Sequence, residues 1–89
     1  MKNYSVEYTK QALKSLEKLE LNVREKIIEW IEENLQGCEN PRLYGKALKG
    51  NLQGKWRYRV GDYRIIAEIE DDKILIVILD ADHRRQIYR

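Results

Sequence analysis

The residues best suited to chemistry are cations set into an alternating run: Lys55-Trp56-Arg57-Tyr58-Arg59-Val60, then Gly61-Asp62, then Tyr63-Arg64-Ile65-Ile66. Every second residue of a strand points to the same face. A two-residue turn at Gly61-Asp62, with glycine where a type II′ turn needs it, pairs Val60 with Tyr63, Arg59 with Arg64, Tyr58 with Ile65, Arg57 with Ile66 and Trp56 with Ala67. Lys55, Arg57, Arg59 and Arg64 then share one face, and Trp56, Tyr58, Val60, Tyr63, Ile65 and Ala67 the other. Like charges directly opposed destabilise a sheet, so Arg59 facing Arg64 points to an anionic ligand. The alternative is that both arginines turn into water or pair with Glu68 and Asp62.

A second group of reactive types is Asp82-His83-Arg84-Arg85-Gln86-Ile87-Tyr88-Arg89, a segment able to fold back on that open face. His83 is the single histidine, and imidazole is the group whose ordinary pKa suits proton transfer near neutral pH. A lone histidine is more often structural than catalytic. Tyr88 is suited to donating a proton or stacking on a base, with simple packing as the alternative. Leu75, Val77 and Leu79, beside Ile66, form an apolar patch next to the cations. Either a helix or strand of another chain or the protein's own last segment is expected to cover it.

Other chemistries are poorly provided for. One cysteine, Cys38, excludes an internal disulfide, and with a single histidine it argues against a Cys/His zinc site. There is no glycine-rich phosphate loop and no Ser/His/Asp spacing of a hydrolase. The opening residues do not resemble a signal peptide, and the apolar run Ile74 to Leu79 is too short for a bilayer, so a reducing cytoplasm is the expected location and no membrane a partner. Net charge is only +2, but it is unevenly spread: Glu17 to Glu39 holds seven glutamates and three basic residues, Arg42 to Arg64 seven basic residues and one acid. Such a basic stretch is either a polyanion-binding surface or a solvated face.

The elements that must position these groups follow from periodicity. With 89 residues the chain has material for one core, and residues 1–89 are read as one domain of α+β class. Tyr4, Val6 and Tyr8 alternate as a first strand. Thr9 is placed to cap a helix with Ala12, Leu13, Leu16 and Leu19 at helical spacing, and Leu21-Asn22 interrupts it. Val23, Ile27, Trp30, Ile31 and Leu35 mark a second helix stopped by Gly37. Cys38 to Gly54 reads as a long loop bearing Arg42, Lys46 and Lys49. Three strands joined by Gly61-Asp62 and Asp71-Asp72 complete a four-stranded sheet with a two-helix hairpin on one face.

The string Leu48-Lys49-Gly50-Asn51-Leu52 through Trp56-Arg57-Tyr58-Arg59-Val60-Gly61-Asp62-Tyr63-Arg64-Ile65-Ile66, closed by His83-Arg84-Arg85 and Tyr88, resembles the RelE-type toxins of type II toxin-antitoxin pairs, over nearly the whole chain. The resemblance implies a RelE-like fold and a ribosome-dependent endoribonuclease that cuts messenger RNA. A ribose 2′-OH would attack the adjacent phosphate, leaving a 2′,3′-cyclic phosphate and a 5′-OH, with no metal or other cofactor. It implies neutralisation by a cognate RelB-like antitoxin, which alone would read operator DNA. Arg64 matches the family's Tyr-Arg motif and would stabilise the transition state. Arg57 and Arg59 stand where some members carry lysines thought to act on the 2′-OH. Arginine is a poor base, so here they would bind phosphate, leaving the proton transfers to His83 and Tyr88. Lys46, Lys49, Lys55, Arg84 and Arg85 would hold RNA. The rivals are a ParE-like inhibitor of DNA gyrase with the same fold and a catalytically weak relative that still binds antitoxin.

Overall fold

The computed structural model describes residues 3–83. Strand β1 (Ser5–Tyr8) leads through Thr9 into helix α1 (Lys10–Glu17). Thr9 caps the helix as its sequence position predicts, its Oγ accepting the Ala12 N–H at 3.0 Å. Ala12 and Leu16 are buried, but Leu13 is 48% exposed and lies off the apolar stripe. Helix α2 (Leu21–Asn34) starts earlier than its sequence suggests. The break falls at Lys18 to Glu20, where Leu19 N–H turns back to Leu16 O and an extended Glu20 accepts Arg24 N–H through its carbonyl. Ile27, Ile31 and Leu35 bury the inner face of α2. Gly37 follows in the left-handed region at φ +79°, where only glycine is at ease. Its N–H donates to Tyr4 O and the Tyr4 N–H to Cys38 O, clipping the exit of α2 to β1.

Among the described residues the sheet has five strands, β1, β2 (Lys46–Ala47), β3 (Trp56–Val60), β4 (Tyr63–Glu70) and β5 (Leu75–His83), in the order β1-β5-β4-β3-β2, with β1 parallel to β5 and the other pairs antiparallel. The hairpin of β3 (Trp56–Val60) and β4 (Tyr63–Glu70) has the register expected from sequence at all five pairs, from Trp56 with Ala67 to Val60 with Tyr63. Gly61 turns at φ +59° and Asp62 keeps a negative φ, which fits type II′ and not type I′. Two expectations need correction. The sheet has a fifth strand: β2 (Lys46–Ala47), inside the expected loop, pairs Lys46 with Arg57 and Ala47 with Trp56. Two residues are too few to show a period. The second turn is longer than Asp71-Asp72: a 3₁₀ turn (Asp71–Lys73) and a left-handed Ile74 at φ +52° precede β5 (Leu75–His83).

Between the helices and one face of the sheet lie Ile27, Ile31, Leu35, Tyr58, Ile65, Ile76 and Ile78, all essentially inaccessible. Among the described residues no helix is long and apolar enough to cross a membrane. Among the described residues Tyr58 is the largest fully buried side chain, and its hydroxyl donates to Pro41 O at 2.6 Å. Burial pushes its phenol well above the ordinary tyrosine value. The folded state therefore resists ionisation that the unfolded chain undergoes freely, and stability falls as pH rises above about 10. Tyr58→Phe leaves the Pro41 carbonyl without its donor and is expected to cost about 1–2 kcal/mol near neutral pH. Its deficit relative to wild type should shrink above about pH 10, where the wild type alone loses the Tyr58 contribution; denaturant titrations at the two pH values check both points.

Candidate functional site

The face of the sheet turned away from the helices carries two lines of polar side chains running across the strands. In one, Arg59 on β3 pairs with Arg64 on β4, and Arg64 stands across from Asp82 on β5; in the next, Lys46 on β2 pairs with Arg57 on β3. Because the turn has two residues, Val60 and Tyr63 form the hydrogen-bonded pair closing the hairpin. Arg59 and Arg64 are then a non-hydrogen-bonded pair, the kind whose side chains stand closest. Arg64 is only 4% exposed, whereas Arg59 reaches solvent. A guanidinium so far from water needs opposite charge close by, and Asp82 stands directly across from it. The result is a buried cation beside an exposed one, of which Arg59 is the one an oxyanion reaches directly.

Asp82 reaches that position through a β-bulge. The register gives Ala67 opposite Ile78 but Ile66 opposite Asp80, so Leu79 is an extra residue in β5. Unbroken alternation from Ile76 and Ile78 would turn Asp80 and Asp82 inward and Ala81 and His83 outward. The bulge reverses this: Ala81 is buried at 1% exposure, Asp82 faces Arg64, and His83 pairs with Tyr63. Helix α1 holds the bulge. The Thr9 hydroxyl donates to Leu79 O, and the Ser15 hydroxyl donates to Asp80 Oδ1 at 2.5 Å, an oxygen that also accepts the Ala81 N–H.

The expectation that this segment folds back over the cations is therefore corrected for Asp82 and His83, which continue β5 because pairing with β4 satisfies their backbone. The His83 ring meets Tyr63 edge to face, centroids 5.3 Å apart. Both line a polar cavity of about 400 Å³ with Gln11, Ser15, Lys18, Asp80 and Asp82, beside α1 rather than amid the arginines. Arg84, Arg85 and Tyr88 lie outside the described residues.

Of the predicted RNA-holding lysines, Lys46 joins the cluster through its pairing with Arg57. Lys55 is tied to Glu68 at 2.5 Å, and Lys49 is exposed where the chain leaves β2. The loop that delivers Lys46 is anchored along its length. Arg42 grips Asp71 with two bonds of 3.0 and 2.9 Å, and Tyr4 donates to the same carboxylate. That carboxylate holds Arg42 in its charged form, while bonding to it pushes the Tyr4 phenol upward. Trp56 Nε1 donates to Tyr44 O at 2.7 Å. Sequence reasoning passed over Tyr4, Asp71 and Tyr44 because their roles depend on loop geometry; the bulge had a signal, since two aspartates could not both follow Ile78 into the core. Among the described residues no three His, Cys, Asp or Glu side chains gather as a metal site.

A five-stranded, antiparallel-rich sheet with two helices on one face and cations on the other is the architecture of the RelE toxin structures. The chain belongs to the family described as ParE toxin of type II toxin-antitoxin system, parDE, whose model matches residues 6–88, and within the RelE/ParE superfamily it is of RelE type. It is 35% identical to Toxin RelG of Mycobacterium tuberculosis over 86 residues, 97% of each chain. Toxin RelE of the same organism is 30% identical over 86 residues, covering 97% of this chain and 87% of the relative. The toxin-antitoxin complex RelBE2 of M. tuberculosis contains a chain that superposes with a TM-score of 0.82 at 32% identity, over 94% of both.

Gly45 is the residue on which delivery of Lys46 turns. It sits at φ +82°, and a Cβ there would lie 2.2 Å from Arg57 O and 2.7 Å from Trp56 Nε1. Gly45→Ala must push β2 off β3 and break the Trp56 bond, at an expected cost of about 2–3 kcal/mol. Hydrogen exchange should show lost protection at β2 and the Trp56 indole N–H with β4 and β5 intact.

Proposed function

We propose that this toxin is a metal-independent endoribonuclease that cuts messenger RNA on the ribosome. The observation that carries this is the Arg59–Arg64 cross-strand pair, with Arg64 buried and Asp82 opposite. Such an arrangement is costly to folding and useful where a phosphate gains negative charge. In the reaction a ribose 2′-OH attacks the adjacent phosphorus, the bond to the 5′ oxygen breaks, and a 2′,3′-cyclic phosphate and a 5′-OH result. Arg64 stabilises the crowded phosphorane oxygens. Arg57 and Arg59 bind the phosphate, and Lys46, Lys49, Lys55, Arg84 and Arg85 hold the strand. His83 and Tyr88 share the proton transfers.

A RelB-like antitoxin neutralises the toxin in the cytoplasm and supplies the operator-reading element of the complex. Support comes from the relative of known structure, a RelBE toxin-antitoxin complex, and from half-buried Leu75, Val77 and Leu79 on and around the sheet face turned away from the helices. The second reading, inhibition of DNA gyrase without cleavage, is favoured by the parDE description of the matching family.

The deciding experiment follows messenger RNA on programmed ribosomes with purified wild type, Arg59→Ala, Arg64→Ala and His83→Ala. Wild type is expected to leave cyclic phosphate ends. Arg59→Ala and Arg64→Ala should lower the rate by about 10²–10³, and His83→Ala by about 10². A folded wild type that cuts nothing but blocks gyrase supercoiling would replace this proposal with the second reading.

A further inference from the structure

A cavity of about 380 Å³ opens at the β3 edge of the sheet, lined by Trp30, Tyr44, Gly45, Lys46, Arg57 and Arg59. It is separate from the polar cavity of His83 and extends the cationic face sideways. One wall is aromatic: Trp30 meets Tyr44 edge to face at 5.7 Å and leans on buried Tyr58 at 5.6 Å. Tyr44 is 42% exposed, unusual for so large a ring with core neighbours. The other wall is cationic. Its shape is fixed, because Trp56 Nε1 holds the Tyr44 carbonyl and Gly45 packs on the backbone of Arg57.

The strand edge adds hydrogen-bonding groups. Among the described residues β2 pairs only with Trp56 and Arg57. Since Val60 and Tyr63 close the hairpin as a hydrogen-bonded pair, the N–H and C=O of Arg59 point outward at the cavity rim, and among the described residues no strand covers them.

An exposed aromatic platform, three cations and a bare backbone edge form the combination that takes an unpaired nucleotide: base on the ring, phosphate on the cations, base edge on the backbone. Its volume suits one nucleotide, not a protein segment. We infer that this cavity is a base-binding subsite for the messenger nucleotide next to the cut, with Tyr44 as the stacking residue. The inference rests on the ribonuclease proposal and adds to it the positioning of the strand, since a base held here lays the neighbouring phosphate against Arg57 and Arg59.

The test uses programmed ribosomes carrying messengers with an abasic residue placed in turn at each position beside the cut. Wild type, Tyr44→Ala and Tyr44→Phe are compared, with thermal unfolding of each variant as the folding control. The expected result is a loss of about ten-fold in kcat/KM for Tyr44→Ala. Wild type should lose a similar factor on one abasic messenger, Tyr44→Ala should be indifferent to that same change, and Tyr44→Phe should behave as wild type. Undiminished cleavage by Tyr44→Ala overturns the subsite. So does a loss that leaves the abasic penalty in place, because the ring would then act only on the fold. A folded wild type that cuts no messenger overturns the ribonuclease proposal itself, and the subsite with it.

Discussion

The extra residue at Leu79 is the constraint on which the arrangement of groups depends. It reverses the alternation of β5 between Ile78 and Ala81, so that Asp82 and not Ala81 stands across from Arg64 in register. Neither face would tolerate the regular alternative. Asp82 would turn toward the helix side beside Asp80, where the Ser15 hydroxyl already serves one carboxylate, and Arg64 would face alanine. Helix α1 secures the bulge through Thr9 and Ser15, using a hydroxyl that also caps the helix. One short helix thus covers part of the core and holds the irregular stretch of β5 from Leu79 to Asp80, just before the residue that stands across from Arg64.

The crossing loop is held differently. Its ion pair, Arg42 with Asp71, is about half exposed and contributes at most about 1 kcal/mol. The buried bond from Tyr58 to the Pro41 carbonyl and the seating of Gly45 on β3 carry more, because each fails at the cost of an unmet polar group or a steric clash. The cationic face is therefore built on a rigid hairpin on one side and a well-seated loop on the other. Repulsion among Lys46, Arg57, Arg59 and Arg64 is borne by elements whose packing lies elsewhere, on the helix side.

The sequence shows the parts governed by local rules. The register of the Trp56–Ala67 hairpin, the Thr9 cap and the Gly37 stop each follow from a few adjacent residues, and with them the clustering of Arg57, Arg59 and Arg64. Features that arise from competition between distant groups are not legible in the same way. β2 exists because β3 offers it an edge. Ile74, β-branched and left-handed, takes a conformation its type disfavours because its side chain packs against the core. The position of His83 escaped for a related reason: alternation is a local rule, and one bulged residue upstream inverts it for everything that follows.

The sheet order has a consequence in time. β5 lies between β1 and β4, yet among the described strands it is the last to be synthesised, and its partner β1 is the first. Until β5 emerges, β1 has no neighbour and the helices have only part of a surface to cover. Contacts between such distant segments form late and slowly. Arg64 acquires Asp82 in the same event that closes the sheet, so the cationic face is completed only as the fold is, and a nascent chain stopped short of β5 carries the arginines without the architecture that aims them.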